Sequence, residues 1–286
     1  MTTVFVLDLD GTIVGDVQDI LNDYYMRTEY SNLLNKVTSR FKQHKKDVFA
    51  AFDNGLLRPY FIQFCKYITT DPQAVVYVYT ASTQNWAAYL INVLESYIAQ
   101  KIGTKFRFER PIFTRNHCHT NTMMKCLQVI LPMIKKRQKH HFNLIMVDNN
   151  PTLERGESGY LLQCPSYDFS TPIDYMRSID WSQFHKSIRI NPAMNQYLPV
   201  PLNNSGKVSI TKAISNYHLG MYNRYKYVNE KNKQYSHDTF WKSFLTAFKN
   251  VTINNDLNSL EGTLFTDSVR TEFQKVIRKS DSPTQK

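Results

Sequence analysis

Short apolar runs alternate with longer stretches of helical periodicity through the first 175 residues, and this alternation restricts the fold more than any other feature of the chain. Val4 to Leu7, Ala74 to Tyr79, Pro111 to Phe113, Leu144 to Val147 and Tyr160 to Leu162 read as strands. Helical patterns such as Asn85 to Ala99 and Thr122 to Ile134 separate them. Strands that recur singly between helices predict an α/β fold, a doubly wound parallel sheet covered by helices. Ligands of such sheets bind beyond the carboxyl ends of the strands, so the residues just past each apolar run are the candidates for chemistry.

From Asp16 to Phe52, apolar residues at mixed three- and four-residue spacings predict one or two helices inserted after the first strand, so that residues 16–57 form a helical insertion or small cap. Pro199, Pro201 and Asn203-Asn204-Ser205-Gly206 predict a linker. Helices are expected over Ile210 to Val228, Asp238 to Phe248 and Thr266 to Ile277, with a loose tail from Ser280 to Lys286. The expected organisation is a catalytic domain over 1–176 and a basic, tyrosine-rich helical extension over 177–286. No run approaches the roughly 18 apolar residues of a membrane span, and Val4 to Leu7 is too short for a signal-peptide core. No membrane partner is expected. The four cysteines form no CxxC pair, which suits reduced thiols in cytoplasm or nucleus.

The first strand runs into Asp8-Leu9-Asp10-Gly11-Thr12. Two acids two residues apart on an extended run point the same way, and at a strand end they can share a metal and a substrate; Gly11 lets the chain turn around them. The second strand ends in Thr80-Ala81-Ser82-Thr83, which reads alone as a hydroxyl cap for the next helix. The fourth ends in Asp148-Asn149-Asn150-Pro151, which alone reads as an Asx turn. Lys125 is expected on the helix between these two, with Lys135, Lys136 and Lys139 as rivals for the same role. Acidic pair, hydroxyl, lysine, then acid and amide, in that order, is what phosphoryl transfer through an aspartate requires. One carboxylate attacks phosphorus and the other protonates the leaving oxygen. A hydroxyl and an ammonium hold the equatorial oxygens, and Mg²⁺ offsets repulsion between carboxylates and dianion.

In these motifs the first 175 residues resemble the haloacid dehalogenase superfamily. Within it they are similar to the branch of RNA polymerase C-terminal-domain phosphatases and NLI-interacting-factor-like proteins, on Arg58-Pro59-Tyr60-Phe61-Ile62-Gln63-Phe64, Thr80-Ala81-Ser82 with Ala87 to Tyr89 downstream, and Val147-Asp148-Asn149-Asn150-Pro151. The resemblance implies Asp8 as nucleophile, Asp10 as general acid and base, Thr80 on a phosphoryl oxygen and Lys125 stabilising the intermediate. It also implies Mg²⁺ on the Asp8 carboxylate, the Asp10 carbonyl and Asn149 or Asp148. Three departures stand out. Gly11 replaces the branch's usual Glu, the insertion is helical where relatives carry a β-rich flap, and Lys125 precedes Asp148 by 23 residues, a long gap.

The formal charge is +11, and it divides unevenly: 19 basic against 16 acidic side chains over 1–176, and 16 against 8 over 177–286. Lys101 to Lys139 holds ten Lys or Arg and one acid, Glu109, so a basic face is expected to lead toward the lysine of the site. A phosphorylated protein is the expected substrate, with phosphoserine or phosphothreonine as the reacting group. Gly11 and the basic surplus make a polynucleotide 3′-phosphatase the enzyme alternative, and a non-catalytic scaffold binding through the extension is the non-enzyme one. Tyr217, Tyr222, Tyr225, Tyr227 and Tyr235 lie among Arg224, Lys226, Lys231 and Lys233, a mixture that suits nucleic acid; packing of the tyrosines on the catalytic domain is the reading favoured over it. Asn-, Lys- and Tyr-heavy usage resembles an AT-rich genome, and phosphatases of this branch occur in large insect DNA viruses of baculovirus type. That similarity implies nucleocapsid assembly, with a basic DNA-packaging protein as substrate, in virions or infected nuclei.

Overall fold

In the computed structural model the described residues are 2–29, 37–120, 122, 124–138, 142–150, 153–154, 157–172 and 210–250. The expected linker around Pro199 to Gly206, the helix over Thr266 to Ile277, the tail, Pro151 and Lys139 lie outside them. Strands β1 (Thr2–Leu7), β2 (Ala74–Val78), β3 (Phe142–Asp148) and β4 (Leu161–Gln163) form a parallel sheet in the order β2-β1-β3-β4. The expected strand at Pro111 to Phe113 reduces to one bridge, Phe113 beside Tyr79. β1 lies between two neighbours, and Val4, Phe5, Val6 and Leu7 are all fully buried, which is why it reads as an unbroken apolar run.

The helices are α1 (Gln18–Glu29), α2 (Val37–Ala51), α3 (Phe61–Thr70), α4 (Gln84–Ile102), α5 (Leu127–Gln138), α6 (Ile210–Asn232) and α7 (Phe240–Asn250). α5 starts at Leu127, so Lys125 is not helical as expected. It precedes the helix as an extended residue bridged to Leu153. Among the described residues no helix is long and apolar enough to cross a membrane, and the four cysteines are buried thiols.

The chain divides into two compact units that do not follow the expected boundary at 176. Unit 1 comprises Met1–Gly15, Leu57–Asp168 and His237–Lys286; unit 2 comprises Asp16–Leu56 and Phe169–Ser236. In unit 1 the sheet carries α3, α4, α5 and α7. Phe5 of β1, Phe61 and Phe64 of α3, and Trp241 and Phe244 of α7 meet in one cluster, Phe61 and Phe64 stacked and the other contacts edge to face or tilted, with Phe64 and Trp241 centred 4.8 Å apart and Phe5 and Phe244 6.0 Å apart. Each ring is buried, and burial of one such side chain contributes roughly 1.5–3 kcal/mol. α7 is therefore part of this core, whereas the sequence reading assigns it to a separate extension.

In unit 2 the insertion is helical, as expected. α1 and α2 enclose the buried pair His44 and Asp23, 3.2 Å apart. Arg224 of α6 grips Asp19 of α1 through Nε (2.9 Å) and Nη2 (2.7 Å), and Asn232 hydrogen-bonds both main-chain groups of Ser170. On α6, Val228 is buried while Tyr222 and Tyr227 are 67% and 68% exposed, so these two tyrosines do not pack as the favoured reading expected. Among the described side chains of the helix, Val228 is the buried one.

Because helices return antiparallel to the strands they connect, their C-terminal turns lie at the opposite edge of the sheet from the strand ends. Lys101, in the last turn of α4, and Lys135, Lys136 and Arg137, in the last turn of α5, are exposed there. The basic stretch thus does not run as a face toward the site; Lys125 and Arg115 are the members of it that sit at the carboxyl edge. Phe244→Ala should destabilise unit 1 by about 3–5 kcal/mol, read from the urea midpoint of the full chain.

Candidate active site

The register levels Leu7 with Val78 on one side and with Val147 on the other, so the residues just past three strands come together. The Asp8 N–H continues the ladder to the Val147 carbonyl (2.9 Å), and the Tyr79 N–H to the Leu7 carbonyl (2.9 Å). Asp8, Asp10, Thr80, Lys125, Asp148 and Asn149, separated by up to 141 residues, share one edge of unit 1.

Lys125 is the centre of the group. It is 4% exposed, and its ammonium donates to Asp8 Oδ1 and to Asp148 Oδ2 (2.7 Å). Tyr79 brackets it. Its ring lies 5.6 Å from Nζ, and its hydroxyl donates to the His117 carbonyl (2.7 Å) and accepts from the Cys126 N–H (3.0 Å), fixing the main chain beside Lys125. Lys135 and Lys136, at the far end of α5, are excluded from this position. The other oxygen of Asp148 accepts from the Asn150 N–H (2.8 Å), so both of its oxygens are engaged.

The Asp8-to-Thr12 loop turns at Gly11, whose φ of +75° is left-handed. A Cβ there would meet Asn149 Nδ2 at 2.6 Å, so any other residue would both strain the turn and displace the Asn149 amide. Thr12 is fully buried: its hydroxyl accepts from the Asn149 N–H (3.1 Å) and donates to Asn149 Oδ1 (3.3 Å). Asp10 Oδ2 accepts from Ser82 Oγ (3.1 Å) and, more weakly, from Thr80 Oγ1 (3.5 Å). The Thr80 hydroxyl is therefore turned to the site. The cap of α4 is Thr83, with no side-chain capping bond, so the cap reading of this segment does not hold.

Three carboxylates against one ammonium leave the cluster negative. Asp8 is pushed up to about 7: burial raises it most, Lys125 pulls it down, and Asp148 and Asp10 push it up again. Lys125 is held above its ordinary value: burial lowers it, but Asp8 and Asp148 outweigh burial.

The Asn149 amide end lies 3.1 Å from the Asp10 main-chain carbonyl and 3.3 Å from Asp8 Oδ2. With nitrogen inward it donates to these oxygens. With oxygen inward, carboxylate, carbonyl and amide oxygens face one another, the hard donors that Mg²⁺ takes. The set that fits a cation is thus Asp8, the Asp10 carbonyl and Asn149, with Asp148 turned away to Lys125. Among the described residues, no three His, Cys, Asp or Glu side chains gather to hold a metal.

Sequence reading passed over Thr12, Tyr79 and Arg115. Arg115 is exposed beside the Thr80 loop, its Nε donating to the Ala81 carbonyl (2.8 Å) and its N–H to the Ser82 carbonyl (3.1 Å). It stands two residues past the apolar run Pro111 to Phe113, the same place relative to a run as the other site residues, and that position was the signal that could have found it.

The native state holds a proton on Asp8 up to about pH 7, whereas an ordinary aspartate releases its proton near 3.8. Between those values the folded chain binds more protons than the unfolded one, so stability without metal falls as pH rises through this window. Asp8→Asn should remove that dependence and raise Tm at pH 7.5 in EDTA by several degrees, measured by thermal denaturation from pH 4 to 8.

Residues 3–176 match the NLI interacting factor-like phosphatase family. Two solved structures are similar at 12% identity: Fcp1, described as an essential RNA polymerase II CTD phosphatase (TM-score 0.34), and a single-residue variant of fission yeast Fcp1 bound to beryllium fluoride (TM-score 0.36). In both cases 97% of this chain is covered, and it spans 63% of the other's length. A search of the curated proteins gave no match. The family match extends over more than half of the chain and takes in every residue of the cluster around Lys125. The chain belongs to the NLI interacting factor-like phosphatases of the haloacid dehalogenase superfamily.

Proposed function

We propose that the chain is a Mg²⁺-dependent phosphatase that works through an aspartyl-phosphate and acts on phosphoserine or phosphothreonine in a protein. The observation that carries this reading is the buried ammonium of Lys125 on Asp8, with Asp10 two residues on, held by hydroxyls. Lys125 beside Asp8 favours the carboxylate against the burial that disfavours it, and Asp8 is the nucleophile once ionised; a second carboxylate on the same loop can move a proton.

In this mechanism an Asp8 oxygen attacks phosphorus and the bond from phosphorus to the ester oxygen breaks. Asp10, protonated, gives its proton to the departing alkoxide. Asp10, now a base, takes a proton from water, and the hydroxide cleaves the aspartyl-phosphate to return Asp8 and inorganic phosphate. Thr80 donates to a phosphoryl oxygen, and Lys125, beside Asp8, offsets the negative charge of the phosphoryl group that becomes attached there. Asp8, the Asp10 carbonyl and Asn149 would hold Mg²⁺, which when bound supplies positive charge against the repulsion between carboxylates and a phosphate dianion.

The basic balance supports a macromolecular substrate, and the family supports phosphatase activity. A setting in a large DNA virus, with a basic DNA-packaging protein as substrate, rests on residue usage and resemblance alone; detection of the protein in virions or infected nuclei tests it. Asp8→Asn should abolish turnover of an aryl phosphate, and Asp10→Asn should slow it by about 10²–10⁴-fold. Retained turnover by the Asp8 variant refutes the mechanism. Faster hydrolysis of a 3′-phosphorylated oligonucleotide than of a phosphoserine peptide replaces the substrate class with the polynucleotide one.

A further inference from the structure

The family match ends at residue 176, yet a helix well beyond it reaches the turn just past the two aspartates. Trp241 of α7 is fully buried and donates its indole N–H to the main-chain carbonyl of Thr12 (3.2 Å). The hydroxyl of the same Thr12 is committed to Asn149, which it meets at both the main-chain N–H and the side-chain amide. One hydrogen bond therefore separates α7 from the residue that holds the Asn149 amide against Asp8 and the Asp10 carbonyl.

Asp238, just before α7, reaches the other side of that turn. It takes Arg58 in both carboxylate oxygens, 3.1 Å from Nε to each and 2.8 Å from Nη2. Arg58 is buried and donates through Nη1 to the Pro165 carbonyl (2.9 Å), with the Gly11 carbonyl at 3.5 Å. Cys164 lies 3.6 Å from Nη1, but burial holds its thiol up to about 11, so it stays neutral and Asp238 supplies the negative charge. A buried guanidinium needs such a partner, and here the partner comes from outside the matched segment.

We infer that Trp241 and Asp238 are positioning residues: α7 fixes the Gly11-Thr12 turn and, through Thr12, sets how tightly the oxygens of Asp8, Asp10 and Asn149 take a divalent cation. The identity of the ion as Mg²⁺ rests on the function proposed above; the route from α7 to the oxygen set does not. Thr12 makes the link specific, because its carbonyl answers to α7 and its hydroxyl to Asn149.

The test uses the full chain and Trp241→Phe, which keeps a ring against Phe61 and Phe64 and removes the donor, the lost volume being matched by the control below. The readout is the MgCl₂ concentration giving half of the Mg²⁺-induced rise in Tm. The variant should need about three- to tenfold more Mg²⁺, the worth of one neutral hydrogen bond, and Asp238→Asn should move the midpoint in the same direction. Turnover of an aryl phosphate lost at limiting Mg²⁺ should be rescued by adding more. Phe248→Leu perturbs α7 against Phe5 and Tyr67 without touching Thr12, so it should lower Tm and leave the midpoint in place. An unchanged midpoint in Trp241→Phe, an equal shift in Phe248→Leu, or no Mg²⁺-induced rise in the wild type overturns the inference. A shifted midpoint in a protein that hydrolyses no phosphate ester would leave the inference standing and remove the phosphatase reading.

Discussion

The ammonium of Lys125 lies between Asp8 and Asp148 in a place where each of the three would be costly alone. Three parallel strands end level with one another and deliver acids to one edge, and there Asp8 and Asp148 would repel across a short, poorly hydrated gap. A lysine held between them makes the arrangement tolerable, and breaking such a pair leaves an uncompensated buried charge. Its main chain is tied down accordingly. The bridge to Leu153, the bond from the Glu154 N–H to the Lys125 carbonyl (3.0 Å) and the Tyr79 hydroxyl all act on the segment that carries it. Burial first, and then the neighbouring Asp148 and Asp10, keep Asp8 above its ordinary range in spite of Lys125, and the balance of charge stays negative, so the oxygens on its far side suit a cation.

The second constraint is space around Gly11. Asn149 approaches where a Cβ would stand, the Tyr167 N–H bonds the Gly11 carbonyl (2.9 Å), and Arg58 and Trp241 close in, Arg58 from just before α3 and Trp241 from α7. Four segments far apart in the chain thus converge on two residues. A turn held from so many sides keeps Asp8 and Asp10 in fixed relation, and the attack and proton transfer proposed for them need preorganisation of that kind.

The matched segment 3–176 and the compact units cut the chain differently. The match includes α1 and α2, which belong to unit 2, and leaves out α7, whose rings fill the core of unit 1. A boundary drawn from motifs tracks the residues of the chemistry, whereas a boundary drawn from packing tracks whichever aromatic face covers β1 and α3.

The parallel α/β architecture was legible in the sequence, because buried parallel strands are unbroken apolar runs, and so was the meeting of Asp8, Thr80 and Asp148 at one edge, because each follows the end of its run. The helical insertion was legible from its periodicity. Lys125 was identified but misplaced on a helix, since periodicity does not reveal that an extended residue must bridge to Leu153 before α5 can begin. The destination of the basic stretch was lost because charge along a chain does not say at which edge of a sheet a helix ends. The place of α7 and the engagement of Thr12, Arg58 and Trp241 depend on contacts across 47 to 229 residues, which no local pattern records. The sequence by itself determined that Asp8, Thr80 and Asp148 would meet, because each is written at the end of its own apolar run. Only the tertiary structure decided how they are held, because burial, the sign of a local charge balance and the closing of a turn belong to neighbours brought together by folding.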